Sequence, residues 1–124
     1  MKLKVITPER VVLDEDNVTE VYAKAVDGEV GILPRHIPLV TPLEISTLRY
    51  VQNGQKQTIA VMGGLLQTDG QSISILSDAA ERANEIDITR AEKARERAEK
   101  EDLKEEQVRL ALARSLARLK AGRG

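Results

Sequence analysis

The first 76 residues alternate between apolar and polar positions in short runs, which is the pattern of β-strands with one buried face. The runs recur at regular spacing, and glycine, proline, asparagine and aspartate separate them. The last run, Ser72 to Leu76, alternates strictly. Many short strands without a helical segment between them predict an all-β sandwich or barrel.

Two pairs of residues in this region predict specific backbone features. Asn53-Gly54 is the strongest two-residue hairpin signal in the chain, and it predicts antiparallel pairing of Leu43 to Gln52 with Gln55 to Met62. Gly63-Gly64 interrupts the strand-like run that follows. Paired glycines inside a strand indicate a bulge or a place where another backbone segment approaches closely.

Beyond Ser77 the composition changes to that of helices, with neither proline nor glycine before Gly122. We predict a first helix from Asp87, its N-cap, to about Glu101, and a second from Leu103 or Lys104 to Lys120, joined by a very short turn. We expect small residues of the first helix to pack against an apolar stripe of the second, formed by Val108, Leu112, Leu116 and Leu119. Because the apolar contact between the two helices is small, we predict that the hairpin is only marginally stable and can move.

Composition excludes several classes of function. The chain has 124 residues, no cysteine and one histidine, so thiolate catalysis and the common metal sites are not expected. His36 has no serine, cysteine or second histidine near it in sequence, and we expect no catalytic residue. With only Tyr22 and Tyr50 as aromatics, the chain has no base-stacking surface for nucleic acid. No apolar run is long enough to span a membrane, which predicts a soluble, cytosolic or stromal-like protein.

The segment from Asp27 to Val40 combines a glycine turn with a loop that contains two prolines. Pro34 and Pro38 fix two backbone angles and remove two amide donors, which predicts a rigid, exposed loop that carries Arg35 and His36. Rigid loops with polar groups commonly contact partners. Glu29, in the glycine turn, is either a solvated carboxylate or a contact to a partner.

The junction between strands and helices allows two interpretations. In the simpler one, Asp87 caps the first helix and pairs with Arg90. In the other, Glu81, Arg82, Arg90 and Arg97 surround helix N-terminal amides and hold a phosphate group. There is no glycine-rich phosphate loop that would indicate hydrolysis.

The C-terminal segment is strongly basic. Five cations and no acid follow Gln107: Arg109, Arg114, Arg118, Lys120 and Arg123. An acidic protein partner is the favoured interpretation, and nucleic acid is the competing anion.

The sequence resembles the epsilon subunits of bacterial and chloroplast F-type ATP synthases along its whole length. The resemblance is carried by the run Asp27 to Pro34 with His36, Pro38 and Leu39, by Met62-Gly63-Gly64, by Ser72 to Leu76, by Asp78-Ala-Ala-Glu-Arg-Ala and by Ile86-Asp-x-x-Arg-Ala91. It implies an N-terminal antiparallel β-sandwich of about ten strands in residues 1–84 and a C-terminal antiparallel two-helix hairpin in residues 85–124.

The resemblance also implies a function. The chain would be a non-catalytic rotor subunit without a cofactor, peripheral to the cytoplasmic or stromal-like face of an energy-transducing membrane, which couples proton-driven rotation to ATP synthesis. Its sandwich would bind the gamma subunit and the c-ring, through Glu29, Arg35 and His36. One departure is Arg35, which stands where most members have glycine.

The hairpin would have two further roles by the same resemblance. When extended, it would inhibit ATP hydrolysis by contacting the alpha and beta subunits through Arg109, Arg114, Arg118 and Lys120. When folded, it could bind ATP as a regulatory ligand through the motif residues Ile86, Asp87, Arg90 and Ala91 together with Glu81 and Arg97. Two alternatives stay open: a purely structural coupling subunit whose hairpin is permanently folded, and a free-standing nucleotide-binding regulatory module.

Overall fold

The computed structural model describes residues 1–100 and 106–122. Eight strands come first, followed by a single 3-10 turn and two α-helices. Their bounds are β1 (Lys2–Ile6), β2 (Val11–Glu15), β3 (Val18–Ala25), β4 (Gly28–Ile32), β5 (Leu39–Gln52), β6 (Gln55–Thr68), β7 (Ser72–Leu76), β8 (Ala80–Arg82), the 3-10 turn (Ala83–Glu85), α1 (Ile88–Glu99) and α2 (Glu106–Gly122).

The strands form one hydrogen-bonded sheet in the order β2-β1-β7-β6-β5-β3-β4, and β8 is added to β6. In a flat sheet β2 and β5 would lie about 19 Å apart, since neighbouring strands are about 4.8 Å apart. Instead, Gln52 Nε2 at the end of β5 donates to Glu15 Oε2 on β2 at 3.1 Å. Arg82 Nε on β8 likewise donates to the Val12 carbonyl at 2.8 Å. The sheet therefore folds over onto itself, and every strand contributes to one apolar core.

The predicted sandwich is confirmed, but it has eight strands among the described residues rather than about ten. The reason is that β5 and β6 are each 14 residues long and continue from one layer into the other. β6 pairs with β8 through Ile59–Val61 and with β7 through Leu65–Thr68. The antiparallel pairing also has one exception, because β1 and β7 are parallel.

Both glycine features predicted from the sequence are present. Asn53 and Gly54 have φ angles of 52° and 76°, as a tight two-residue hairpin requires, and β5 and β6 pair antiparallel on either side of them. Gly64 has a φ of 121°, and a Cβ atom there would collide with the Leu76 carbonyl oxygen. The close backbone approach explains why this strand position needs glycine.

The two helices form the predicted hairpin. Asp87 caps α1, since its Oδ1 accepts a hydrogen bond from the Arg90 amide at 3.0 Å. Gly122, at the end of α2, packs against Ile86 and Ile88 at the beginning of α1, so the helices are antiparallel. The predicted turn, the end of the first helix at Glu101 and the start of the second at Leu103 or Lys104 lie outside the described residues.

The hairpin lies on the sandwich, and this contact corrects the predicted stripe of α2. Val108 and Leu119 are buried as expected, but Leu116 is 47% exposed. Ala121 instead joins a second apolar cluster with Ala60 and Met62 of the sheet. Small side chains on this face let the helix approach the strands closely, which turns Leu116 towards the edge.

Two threonine hydroxyls of the sheet fasten α2 at its C-terminal end. Thr47 Oγ1 donates to the Ala117 carbonyl at 2.9 Å, and Thr58 Oγ1 donates to the Ala121 carbonyl at 2.8 Å. The last carbonyls of a helix lack partners within it, so Thr58 satisfies a group that the helix leaves open. The end of α2 is thus the part of the hairpin that the sandwich holds.

Candidate functional site

A pocket of about 360 Å³ opens where β8, α1 and α2 meet. Its walls include five of the six residues that the resemblance associates with ATP: Glu81, Asp87, Arg90, Ala91 and Arg97. Ile86 does not line the pocket, because its side chain packs against the second apolar cluster. The structure therefore brings together one group of predicted residues, from β8, the N-cap of α1 and α1 itself.

The pocket contains equal numbers of positive and negative side chains, but not all of them pair with one another. Its walls hold three carboxylates, of Glu81, Glu85 and Asp87, and three guanidinium groups, of Arg90, Arg97 and Arg118. Arg118 Nε donates to Glu81 Oε1 at 2.8 Å, whereas Glu85 pairs with Arg10 outside the pocket walls.

Two cations of the pocket are left for a ligand. Within the described part of the chain, the guanidinium groups of Arg90 and Arg97 have no carboxylate at ion-pair distance. Arg90 lies in the first turn of α1, where the helix dipole also favours an anion, whereas Arg97 lies in the last turn. The pocket is therefore suited to bind phosphate groups.

Glu85 stabilises the edge of this pocket. Its partial burial opposes ionisation, but the hydrogen bond from Arg10, the Arg82 amide and the two guanidinium charges outweigh it, so the pKa of Glu85 lies below its ordinary value. Arg10 Nη2 and Glu85 Oε2 are 2.7 Å apart. This pair ties the 3-10 turn to the segment before β2.

Two assignments at the junction differ from expectation. Arg82, predicted to help hold a phosphate, points away from the pocket and donates to the Val12 carbonyl. Arg118, predicted only as a partner contact, is a wall of the pocket and the partner of Glu81. Its position depends on how α2 lies on the sheet, and helical periodicity carries no signal for that.

The loop between β4 and β5 is exposed, as predicted, and several contacts fix its shape. The Arg35 amide donates to the Gly70 carbonyl at 3.0 Å, and the His36 amide donates to the Leu33 carbonyl at 3.1 Å. His36 Nδ1 lies 2.6 Å from the Ile37 carbonyl, which can only accept, so this nitrogen carries the proton. Arg35 has a φ of 71°, a conformation that favours glycine.

Large apolar side chains surround this loop and are exposed to solvent. Ile37 is 75% exposed and Val40 is 63% exposed, and Leu33 and Val26 are also largely exposed. We call these four residues the loop patch. Exposed apolar side chains in and near a loop of fixed shape favour a protein-binding surface.

Glu29 lies on strand β4 and not in the predicted turn, and its carboxylate is held by Arg49. Arg49 Nη2 is 2.7 Å from Glu29 Oε1, and the same guanidinium lies 5.4 Å from the centre of the Tyr22 ring. The Tyr22 hydroxyl donates to Glu20 Oε1 at 2.6 Å, and this hydrogen bond raises the pKa of Tyr22. The Glu29 carboxylate is therefore exposed to solvent but held in one orientation by Arg49.

The four described cations of the basic segment do not share one face in this arrangement. Arg109 and Lys120 are exposed, whereas Arg114 and Arg118 are half-buried. Across the described ranges, 1–100 and 106–122, no three His, Asp or Glu side chains are grouped so that they could hold a metal ion. Neither described helix is long and apolar enough to cross a membrane.

Comparison with known proteins gives one consistent result. Residues 1–83 match the sequence model of the family described as ATP synthase, Delta/Epsilon chain, beta-sandwich domain. The ATP synthase epsilon chain of Carboxydothermus hydrogenoformans is 51% identical over 98 residues, which are 79% of this chain and 72% of that protein. The epsilon chain of Herpetosiphon aurantiacus is 44% identical over 131 residues, covering 99% of this chain and 94% of the relative.

A solved structure shares the whole fold, helices included. It belongs to the Euglena gracilis mitochondrial ATP synthase, in an assembly described as OSCP/F1/c-ring. The TM-score is 0.81 at 25% sequence identity, over 98% of this chain and 80% of the other. The chain therefore belongs to the delta/epsilon family of ATP synthase subunits.

Proposed function

We propose that this chain is the non-catalytic epsilon subunit of a rotary ATP synthase, where it joins the central stalk and couples proton-driven rotation of the c-ring to ATP synthesis. The observation that carries the proposal is the full-length match to proteins named ATP synthase epsilon chain, together with the shared fold. Residues 1–84 would be the anchor and residues 85–124 the regulatory part. The subunit would be peripheral, on the cytoplasmic or stromal-like face of the membrane, which it would meet only through the complex.

The sandwich would bind its partners through the loop between β4 and β5 and through Glu29 on β4. The loop patch with Arg35 and His36 would contact the gamma subunit, because it is apolar, exposed and held in one shape. Glu29 would contact polar loops of the c-ring. Its pairing with Arg49 supports this role, since a carboxylate already oriented loses less freedom on binding.

The hairpin would inhibit ATP hydrolysis when it leaves the sandwich. In the described residues, α2 is held by a small alanine-rich cluster, two threonine hydrogen bonds and one half-buried ion pair. Such contacts are few enough to be exchanged for others. Once released, Arg109, Arg114, Arg118 and Lys120 would be free to meet acidic segments of the alpha and beta subunits.

ATP would be a regulatory ligand of the folded hairpin. Arg90 and Arg97 would hold its phosphate groups, and the carboxylates of Glu81 and Asp87 would accept hydrogen bonds from its hydroxyl or amino groups. The pocket has walls on both the sandwich and α2, so it is complete only while the hairpin is folded. A ligand that binds one state alone shifts the equilibrium towards that state.

Co-elution with the gamma subunit in gel filtration tests the proposal. We expect the full chain to form a stable complex, and a variant with Ile37→Asp and Val40→Asp to lose it. Val11→Asp is the matched control, because Val11 is 52% exposed but lies outside the loop patch. If the unaltered chain does not co-elute with gamma, the free-standing regulatory module is the better account.

A further inference from the structure

A second pocket, of about 410 Å³, lies between α2 and the sheet. Leu116, Ala117 and Lys120 line it from α2, and residues of β3, β4 and β5 form the other wall. At 100° per residue, Leu116 and Lys120 lie on the flank of α2 opposite to Arg118. The second pocket is therefore separate from the one that contains Arg90, and its volume is within the range of small-molecule sites.

The walls of this second pocket carry an excess of positive charge. Lys24, Arg49 and Lys120 face a single carboxylate, that of Glu29. Glu29 accepts from Arg49 Nη2 alone, which leaves the other guanidinium donors of Arg49 unused by this pair. The first pocket, in contrast, has as many carboxylates as guanidinium groups.

The remaining two cations are also available. Lys24 has only a long, exposed contact to Glu44, at 3.6 Å, which is worth little in water. Lys120 has no ion-pair partner in the part of the chain that the structure describes. The three positive groups come from β3, β5 and α2, so an anion that contacts all three would connect the hairpin to the sandwich.

The same pocket has an apolar side, although Ile45 in its wall also packs against the second apolar cluster. Leu116 is half-exposed on its rim, and Ile45 is half-buried on the facing strand. The Ser46 hydroxyl donates to the Glu44 carbonyl and the Thr47 hydroxyl donates to the Ala117 carbonyl. Neither hydroxyl is therefore available as a donor to a ligand. The occupant therefore has an anionic end for the cations and an apolar body for Leu116.

We propose that this pocket binds a small organic phosphate, with its phosphate group on Lys24, Arg49 and Lys120 and its apolar part on Leu116. Binding there holds α2 on the sandwich and keeps Lys120 away from other partners. This effect is additional to that of ATP and does not depend on it, because the two pockets share no residue.

The proposal is tested with phenyl phosphate and inorganic phosphate as probes, by calorimetric titration of the full chain. We expect saturable binding of phenyl phosphate, tighter than that of inorganic phosphate, and slower hydrogen exchange in α2 when it is bound. Lys120→Gln and, separately, Lys24→Gln each weaken binding about tenfold, the loss expected for one charged hydrogen bond. Lys93→Gln on α1, a lysine outside both pockets, does not.

Two further variants separate this site from the first pocket and test its apolar wall. Arg90→Gln leaves phenyl phosphate binding unchanged, whereas Leu116→Ser removes the advantage of phenyl phosphate over inorganic phosphate. Three results overturn the proposal: titration that does not saturate, equal binding by the Lys120→Gln and Lys93→Gln variants, or loss of binding in Arg90→Gln. The first means an adventitious ion only, and the last means that the probe enters the other pocket.

Discussion

Arg118 Nε donates to Glu81 Oε1 at 2.8 Å and joins the C-terminal helix to the last strand of the sandwich. Both side chains are 29% exposed, and both line the pocket that we propose for ATP. While this pair is intact, Arg118 stays on the sandwich with α2. The pair therefore links the folded state of the hairpin to the completeness of the pocket and to the availability of a cation that we propose to be inhibitory.

Glu81→Gln removes the negative charge of this pair and leaves the half-buried Arg118 without a carboxylate partner. We expect the folded hairpin to lose up to about 1 kcal/mol relative to the open one, the upper range for a partly exposed pair. Hydrogen exchange of α2 in the full chain measures this loss. Glu99→Gln is the control, since Glu99 pairs with Arg95 at 3.6 Å within α1. Equal acceleration in both variants would refute a special role for the Arg118 pair.

Arg90→Gln removes one of the two pocket guanidinium groups that lack a carboxylate partner among the described residues. We expect the affinity for ATP to fall about tenfold or more, because hydrogen bonds between charged groups are worth about 1.5–3 kcal/mol. Calorimetric titration of the full chain with ATP measures the change. Arg109→Gln on the exposed part of α2 is the matched control and should bind ATP as the unaltered chain does. An unaffected Arg90→Gln variant would place the phosphates elsewhere.

Arg35→Gly replaces a residue with a φ of 71° by the one residue that adopts this angle without strain. The strain amounts to about 1–2 kcal/mol, and the greater freedom of glycine in the unfolded chain offsets part of it. We expect a net gain in the free energy of unfolding of about 1 kcal/mol or less, measured with urea. Ile37→Gly, in the same loop at an ordinary φ, should lower stability instead. If both variants changed the free energy of unfolding in the same direction, the strain argument would be contradicted.

Glu85 predicts a dependence of stability on pH. Its pKa is lowered in the folded chain from an ordinary value of 4.5, so its ionised form stabilises the fold at every pH above that value. The contribution disappears as the pH falls through the lower pKa of the folded state. Urea unfolding from pH 7 to below 4 should show the unaltered chain losing its advantage over Glu85→Gln towards acid. An advantage that stays constant over this range would mean that the pKa is not shifted.

Local features of the fold could be predicted from the sequence because neighbouring residues determine them. Asn53-Gly54 makes a hairpin with whatever strands flank it, and Asp87 caps α1 through an amide three residues away. The strand count could not be read in the same way. Alternation does not reveal that β5 and β6 continue from one layer to the other.

The position of α2 was the part that the sequence did not determine. Its periodicity shows that the helix has an apolar face, but two partners compete for that face, α1 and the sheet. Thr47 and Thr58, which fasten the helix, are 70 and 63 residues away from Ala117 and Ala121. For the same reason Arg118 was not predicted in the first pocket, although Glu81, Asp87, Arg90 and Arg97 were.

The most direct test of the central claim is ATP hydrolysis by the catalytic head depleted of its own epsilon subunit, with gamma present. The additions are the full chain or a chain ended at Asn84, which retains all eight strands and their core. Circular dichroism and co-elution with gamma first establish that the shorter chain is folded and bound. We predict that the full chain inhibits hydrolysis and that the shorter chain binds without inhibiting. If both chains bind and neither inhibits, the hairpin does not inhibit ATP hydrolysis, and the purely structural coupling subunit is the correct account.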